Sequence, residues 1–368
     1  MGKEVHDIVV IGAGVVGCSA ALFLARAGQD VCVVEKGFIG GESSGRAAGG
    51  VRQNLRPLPE LPLAMRTVQL WSALAEESDL DFEYRHHGNL SLAWNEKDDA
   101  ELRATIERQR AAGLECYYLS REEVRALVPG VVETYQGGAY CPSDGYAEPY
   151  LSCLAWSGAA RRAGAIFHEH RAVTGFQVEA GRITAVETAD GPIATGLVIN
   201  AAGAWAHLIC RMVGIEVPFK LCRSHLLVTE PLPRFLEPFL DAGDHGYFLQ
   251  SLSGNVLSGW ESRPVEGFDR RATYEALCGT ARRAASFMPR LRSVAAIRLF
   301  CGFTCWTPDR LPLMGPLSHP EGFYMAAEFS GTGFAMGPVV AELLTQLILE
   351  GRTALPIERF RPERFNVV

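Results

Sequence analysis

Asp7-Ile8-Val9-Val10-Ile11, then Gly12-Ala13-Gly14-Val15-Val16-Gly17, then a second apolar run Val31-Cys32-Val33-Val34 closed by Glu35, is the stretch whose reading decides the fold. The first five residues are nearly continuous in β-branched apolar side chains, the signature of a strand buried on both faces of a parallel sheet. Gly12 to Arg26 continues as a helix whose small residues face inward, and the second strand follows Gly28. Strand, glycine turn, helix and strand fit within about 30 residues, the length of a right-handed βαβ crossover. The glycines form G-x-G-x-x-G at the strand-to-helix turn, and Glu35 stands eighteen residues after Gly17. Glycines there let the turn and the helix N-terminus approach a pyrophosphate, and the acidic residue suits a ribose hydroxyl. A glycine turn needed only for packing is the competing explanation. Spacing alone would not exclude it, but strand, helix and acidic residue all occur in the required order.

Outward from this unit, the chain is long enough for about two domains, with 368 residues, 48% hydrophobic and 21% charged. Lys plus Arg total 35 against 42 for Asp plus Glu, a net charge of −7, which argues against attraction to nucleic acid or acidic membranes. No apolar run approaches the roughly 20 residues of a membrane span, and Met1 to Asp7 lacks a signal-peptide pattern. A mature, cytoplasmic protein starting where the sequence starts is therefore expected, with membrane association only through electron-transfer partners on the inner face. Ten cysteines occur without any C-x-x-C, so neither a disulfide framework nor a cysteine-held zinc or iron–sulphur site is expected in this chain. His86-His87 and His168-x-His170 lack ligand spacing, and no metal site is expected.

Residues 38–63 form a long Gly-, Ser- and Pro-rich connection, of the kind that is usually functional. Helices are expected over 63–77, 96–112, 149–164, 272–285 and 338–349, and Ser120 with Glu123 reads as a capping box. Short strands fall near 88–94, 165–167, 173–178, 183–187, 197–200, 311–315 and 323–327, and longer ones after residue 222, running to Phe303. The fold class that follows is α/β, a nucleotide-binding Rossmann-like domain with an inserted α+β substrate domain on a mostly antiparallel sheet. The expected boundaries are 1–85, 146–220 and 318–368 for the first, and 86–145 and 221–317 for the second.

Further motifs carry a resemblance. Glu35-Lys36-Gly37 with Gly40-Gly41-Glu42-Ser43-Ser44-Gly45-Arg46, Val198 to Trp205, Thr307-Pro308-Asp309 with Leu313-Met314-Gly315, and Ser330-Gly331-Thr332-Gly333-Phe334 resemble, in order, the D-amino-acid oxidase and sarcosine oxidase superfamily. The resemblance implies a glutathione-reductase-type FAD domain. The flavin contacts it implies are Gly12, Ala13, Gly14, Val15, Val16, Gly17, Glu35, Lys36, Ser43, Ser44, Gly45, Arg46, Ala48, Gly49, Gly50 and Val51. They continue with Val173, Ala201, Ala202, Gly203, Trp205, Gly302, Asp309, Gly331, Thr332, Gly333, Phe334 and Ala335. Within the superfamily, Ser44 to Arg52, Leu61 to Met65 and Gly88-Asn89-Leu90 look like β subunits of heteromeric opine, D-hydroxyproline and proline dehydrogenases and hydrogen cyanide synthases. That implies a larger FAD-containing α subunit, a small iron–sulphur subunit holding any cluster, and FMN at a subunit junction.

Two departures bear on the chemistry. Ala335 stands where oxygen-reactive relatives carry a lysine directly after Gly-Phe. A cation there stabilises developing superoxide, so its loss favours a dehydrogenase that hands electrons to another cofactor. Covalent flavin attachment in some relatives uses a cysteine at the position of Gly302, with Cys301 one residue away, so non-covalent FAD is expected. The resemblance places Arg52 beside the flavin, where a guanidinium suits a substrate carboxylate; a surface or inter-subunit ion pair is its bland alternative. Tyr247, Glu261, Trp306 and Thr332 are further candidates for the cavity wall, each open to the plainer reading of ordinary packing. No general base stands out. The expected activity is oxidation of a secondary amine of an amino-acid derivative, with an octopine- or nopaline-type opine as first substrate; a peroxide-producing oxidase and a non-catalytic flavin relay are the alternatives.

Overall fold

A computed structural model describes residues 4–365, except for the side chain of Glu261. Its centre is a six-stranded sheet ordered Leu313–Pro316, Phe323–Ala327, Val198–Asn200, Ile8–Ile11, Val31–Val34 and Ile166–His168. The last five strands run parallel, and Leu313–Pro316 pairs antiparallel at the edge. The sheet is α/β as read from the first 35 residues, because each of its inner strands is too apolar to face water on either side. Along Ile8–Ile11 the side chains alternate between two cores. Ile8 and Val10 pack towards the helices Val15–Arg26, Leu61–Glu77, Pro149–Arg162 and Gly333–Glu350. Val9 and Ile11 pack towards the helix Ala206–Arg211 and a small sheet built from Glu4–Val5, Ile193–Ala194, Arg182–Thr188 and Val173–Glu179.

The Gly333–Glu350 helix starts five residues earlier than its sequence suggested, since Pro338 reads as a first-turn residue but lies inside the helix. The proline forgoes one intrahelical bond, and burial of Phe334, Met336, Val339, Val340, Leu343 and Leu344 holds the helix regardless. Among the described residues this helix is the one long and apolar enough to cross a membrane by length and composition, yet it sits packed between the Val15–Arg26 and Leu61–Glu77 helices.

The second large sheet has eight strands: Ala296–Trp306, Lys220–Pro231, Asn255–Pro264, Tyr247–Gln250, Phe239–Asp241, Asn89–Ala93, Gly137–Cys141 and Tyr117–Ser120. Every neighbouring pair is antiparallel except Phe239–Asp241 with Asn89–Ala93. This sheet is the mostly antiparallel unit expected from sequence. Leu313–Pro316, placed by its sequence position in that unit, instead hydrogen-bonds to Phe323–Ala327 of the parallel sheet, where Leu313 and Met314 are fully buried. The capping box forms, with Ser120 Oγ accepting from Glu123 N and Glu123 Oε2 accepting from Ser120 N at 2.7 Å. All ten cysteines are free thiols, and all but Cys278 are buried.

Candidate active site

The C-terminal ends of the parallel strands open into one cavity of about 650 Å³ that continues under the eight-stranded sheet. This is where open α/β sheets take their ligands. Gly12 turns the chain there with φ of 101°, and a side chain on it would meet the Ala201 carbonyl at 2.7 Å. Gly17 serves the layer behind: a Cβ there would overlap the Gly12 carbonyl, so it lets the Val15–Arg26 helix lie against the strand. A Cβ on Gly14 would come 2.8 Å from Ser44 Oγ, the hydroxyl that accepts from Val15 N at 3.1 Å. Glu35 lines the cavity while its two oxygens accept from Ala13 N (2.9 Å) and Gly37 N (2.8 Å). Each oxygen retains a second lone pair for a ligand hydroxyl.

Of the residues singled out from sequence, the wall includes Gly12, Gly14, Val16, Glu35, Lys36, Ser43, Ser44, Arg46, Ala48, Gly49, Gly50, Arg52 and Val173. It also includes Ala201, Ala202, Gly203, Trp205, Tyr247, Gly302, Trp306 and the run Gly331, Thr332, Gly333, Phe334 and Ala335. Lys36 Nζ lies 3.4 Å from the Trp205 ring centroid, and Ser43 Oγ donates to the Phe303 carbonyl at 2.7 Å, tying the long loop to the substrate sheet. Thr332 Oγ1 donates to the Phe329 carbonyl at 2.8 Å, at the start of the Gly333–Glu350 helix, whose first residues line the cavity. Trp306 Nε1 donates to Thr304 Oγ1 at 2.9 Å, and Tyr247 stacks on Phe239 with ring centroids 5.8 Å apart. Burial, with Asp241 nearby, pushes the Tyr247 phenol upward, so it enters the site as a hydroxyl donor.

Other expected contacts stand elsewhere. Ala13, Val15, Gly17, Gly45 and Val51 do not line the cavity; they form the layer behind it, Val51 in the pairing with Gly145. Asp309 does not line it either. Its carboxylate accepts from Arg364 Nε at 2.8 Å and caps its own turn through Leu311 N at 3.0 Å, so the motif serves the fold there. Glu261 lies in the strand Asn255–Pro264, and its side chain is outside the described residues. Cys301 is away from the wall, its thiol donating to the Arg270 carbonyl at 3.2 Å.

Arg52 reaches Asp241 Oδ2 at 3.4 Å, a long ion pair at a side chain one-third exposed. Sequence reasoning gave no site role to four charged residues of the same wall, Glu42, Arg56, Asp241 and Glu328. Arg56 is 8% exposed and Glu328 1%. Burial pushes the Glu328 carboxyl up to about 8, and neither of its oxygens has a hydrogen-bond partner among the described residues. The fold also brings donor atoms of His207, Cys305 and Glu328 within 4.8 Å of one another, and likewise those of Glu4, Cys32 and His168. In the second group Glu4 is engaged by His168 (2.8 Å) and Arg171 (2.7 Å). Both groups join residues far apart in sequence, which ligand spacing cannot reveal.

A glycine-walled cavity between a parallel sheet and an antiparallel one, with the starts of two helices in its wall, defines a dinucleotide-dependent enzyme. The chain belongs to the FAD-dependent oxidoreductase family DAO, whose profile matches residues 7–347. It is 30% identical over 381 residues to mitochondrial sarcosine dehydrogenase of Mus musculus, covering 98% of this chain but only 41% of that protein. It is 27% identical to hydrogen cyanide synthase subunit HcnC of Pseudomonas aeruginosa, covering 99% of this chain and 97% of the other. Among solved structures, L-proline dehydrogenase of P. horikoshii superposes with a TM-score of 0.95 at 32% identity, covering 99% of both chains. Glycine oxidase of Geobacillus kaustophilus gives 0.92 at 25% identity, covering 98% and 99%. The cavity suits the family's FAD: its size is that of a cofactor site, and side chains on Gly12 or Gly14 would fill the cradle at the helix N-terminus.

Proposed function

We propose that this chain is the catalytic FAD subunit of an amine dehydrogenase complex, oxidising the secondary amine of an amino-acid derivative. The carrying observation is continuity: one cavity runs from the Gly12–Gly14 turn and Glu35 to Arg52 and Tyr247 beneath the antiparallel sheet. The FAD, when bound, accepts the hydride that leaves the carbon next to the substrate nitrogen. Gly12, Gly14 and the amides of the Val15–Arg26 helix would hold its pyrophosphate, and Glu35 its ribose. Arg52 pairs with the substrate carboxylate, and this fixes which carbon faces the ring. The Tyr247 hydroxyl donates a hydrogen bond into the same space. The amine releases a proton to water, and water hydrolyses the resulting imine to an amine and a carbonyl compound. The start of the Gly333–Glu350 helix lines the cavity, and its free amides would offer partial positive charge to a flavin held there.

The relatives are named for sarcosine, proline and glycine, each with a C–N bond to oxidise. An octopine- or nopaline-type opine is the first substrate to try. Ala335 is 2% exposed and brings no cation to the wall, which favours electron transfer to a partner over oxygen. The partners we expect are a larger FAD-containing subunit, FMN at the junction, and a small iron–sulphur subunit, in keeping with HcnC being named a subunit. FAD is held non-covalently, since Cys301 is off the wall and Cys305, a wall residue, has its thiol donating to the Ala204 carbonyl. Anaerobic titration with opines, D-hydroxyproline, proline, sarcosine and glycine, followed at about 450 nm, tests the reading. Bleaching by at least one amine supports catalysis in this chain; a folded protein without flavin overturns it. Co-expression with neighbouring reading frames, then size-exclusion chromatography, tests the complex. Oxygen turnover by the chain alone as fast as by any assembly overturns that part.

A further inference from the structure

A second guanidinium stands beside Arg52. Arg56 closes a short turn, its amide donating to the Gln53 carbonyl at 3.3 Å, and its Nε donates to the Arg52 carbonyl at 3.3 Å. That is its one side-chain hydrogen bond among the described residues. Its terminal nitrogens have no acceptor among the described residues, and Arg56 lines the cavity. A buried cation left this way is costly unless an anion arrives. Burial first, and then repulsion from Arg52, pulls Arg56 down to about 10, against partial relief from Glu60 and Asp144.

Neither of those carboxylates serves as its bonded partner. Asp144 is fully buried and taken up by Gln53 N (2.7 Å), Asn54 N (3.0 Å) and Gln53 Nε2 (3.2 Å). Glu60 is buried, burial pushes its carboxyl upward, and no hydrogen bond joins it to Arg56. Arg52 has only the 3.4 Å contact with Asp241. Side by side in the wall, Arg52 and Arg56 therefore have one bonded carboxylate between them, Asp241. One carboxylate, all that glycine, sarcosine or proline carries, can take one guanidinium bidentately and leaves the other exposed to the cavity and unpaired.

We infer that Arg56 binds a second substrate carboxylate beside the one at Arg52, so that the preferred substrates are imino-diacids, secondary amines flanked by two carboxylates. The word substrate rests on the amine-oxidation reading above; the dianion site does not.

Two thioethers, with sulfur in place of the amine, separate the ideas: thiodiacetate has two carboxylates and (methylthio)acetate one. Each is titrated into the oxidised holoprotein and read from the perturbed flavin spectrum. Thiodiacetate should bind about 10- to 100-fold more tightly, the range of one charge-assisted pair. Arg56→Gln should erase that preference and Arg56→Lys restore part of it. Equal affinities in the unaltered protein overturn the inference whether or not the variants fold. So does equal weakening of both ligands in an Arg56→Gln protein that still holds flavin, which would make Arg56 a prop for Arg52. If thiodiacetate binds through Arg56 but neither iminodiacetate nor sarcosine bleaches the flavin, the dianion site stands and amine oxidation falls. If both amines bleach it with the same KM and the thioethers bind alike, amine oxidation stands and the dianion site falls.

Discussion

Replacing Glu328 by glutamine should change how the stability of the protein depends on pH. Glu328 follows the strand Phe323–Ala327 at a left-handed φ of 57°, is 1% exposed, and faces the buried Cys305, His207 and Cys210. Burial raises its carboxyl from the ordinary 4.5 to about 8, against the opposing effect of the Cys305 thiol, while burial holds His207 towards its neutral form. Between those two values the folded chain keeps a proton that the unfolded chain has lost. Stability is therefore full below about pH 4.5 and falls as pH rises, until the folded carboxyl itself ionises near 8. At about 1.4 kcal/mol per pH unit, the interval amounts to roughly 5 kcal/mol. Glutamine keeps the shape and removes the titration. Denaturant unfolding of the holoprotein at pH 5, 6, 7 and 8 should show the two proteins within about 1 kcal/mol at pH 5, and Glu328→Gln ahead by several kcal/mol at pH 8. Parallel profiles would refute the burial argument, and would point to an ionised Glu328 neutralised by a cation held with His207 and Cys305.

Gly14→Val should give a folded protein that does not retain FAD, because its Cβ would come 2.8 Å from the Ser44 hydroxyl that caps the helix and would fill the cradle; stoichiometric flavin in the purified variant overturns this. Glu35→Ala removes the acceptor of Ala13 N and Gly37 N as well as of the ribose. FAD binding should weaken by about 1.5–3 kcal/mol, and an unchanged dissociation constant takes Glu35 out of the site. Ala335→Lys should raise oxygen consumption relative to reduction of an artificial acceptor by about tenfold or more, through a cation beside the reduced ring. An unchanged ratio in a flavin-loaded variant shows that this position does not choose the acceptor.

The βαβ unit and its glycines were legible in sequence because strand period, helix period and the φ of 101° at Gly12 are set by residues within about one turn of each other. The same holds for the Ser120–Glu123 capping box, whose two hydrogen bonds join neighbours three residues apart. Arg52 and the Gly331 to Phe334 run were legible only through resemblance. Tertiary structure alone decided the rest. Leu313–Pro316 joined the parallel sheet because Phe323–Ala327 offered it an edge, and Phe239–Asp241 ran parallel to a strand from the other end of the substrate unit. Nothing in the local sequence singles out Arg56 or Glu328. They are charged groups deprived of water only because segments far off in the chain close over them, and desolvation depends on everything that packs around a group in space, which local sequence does not carry.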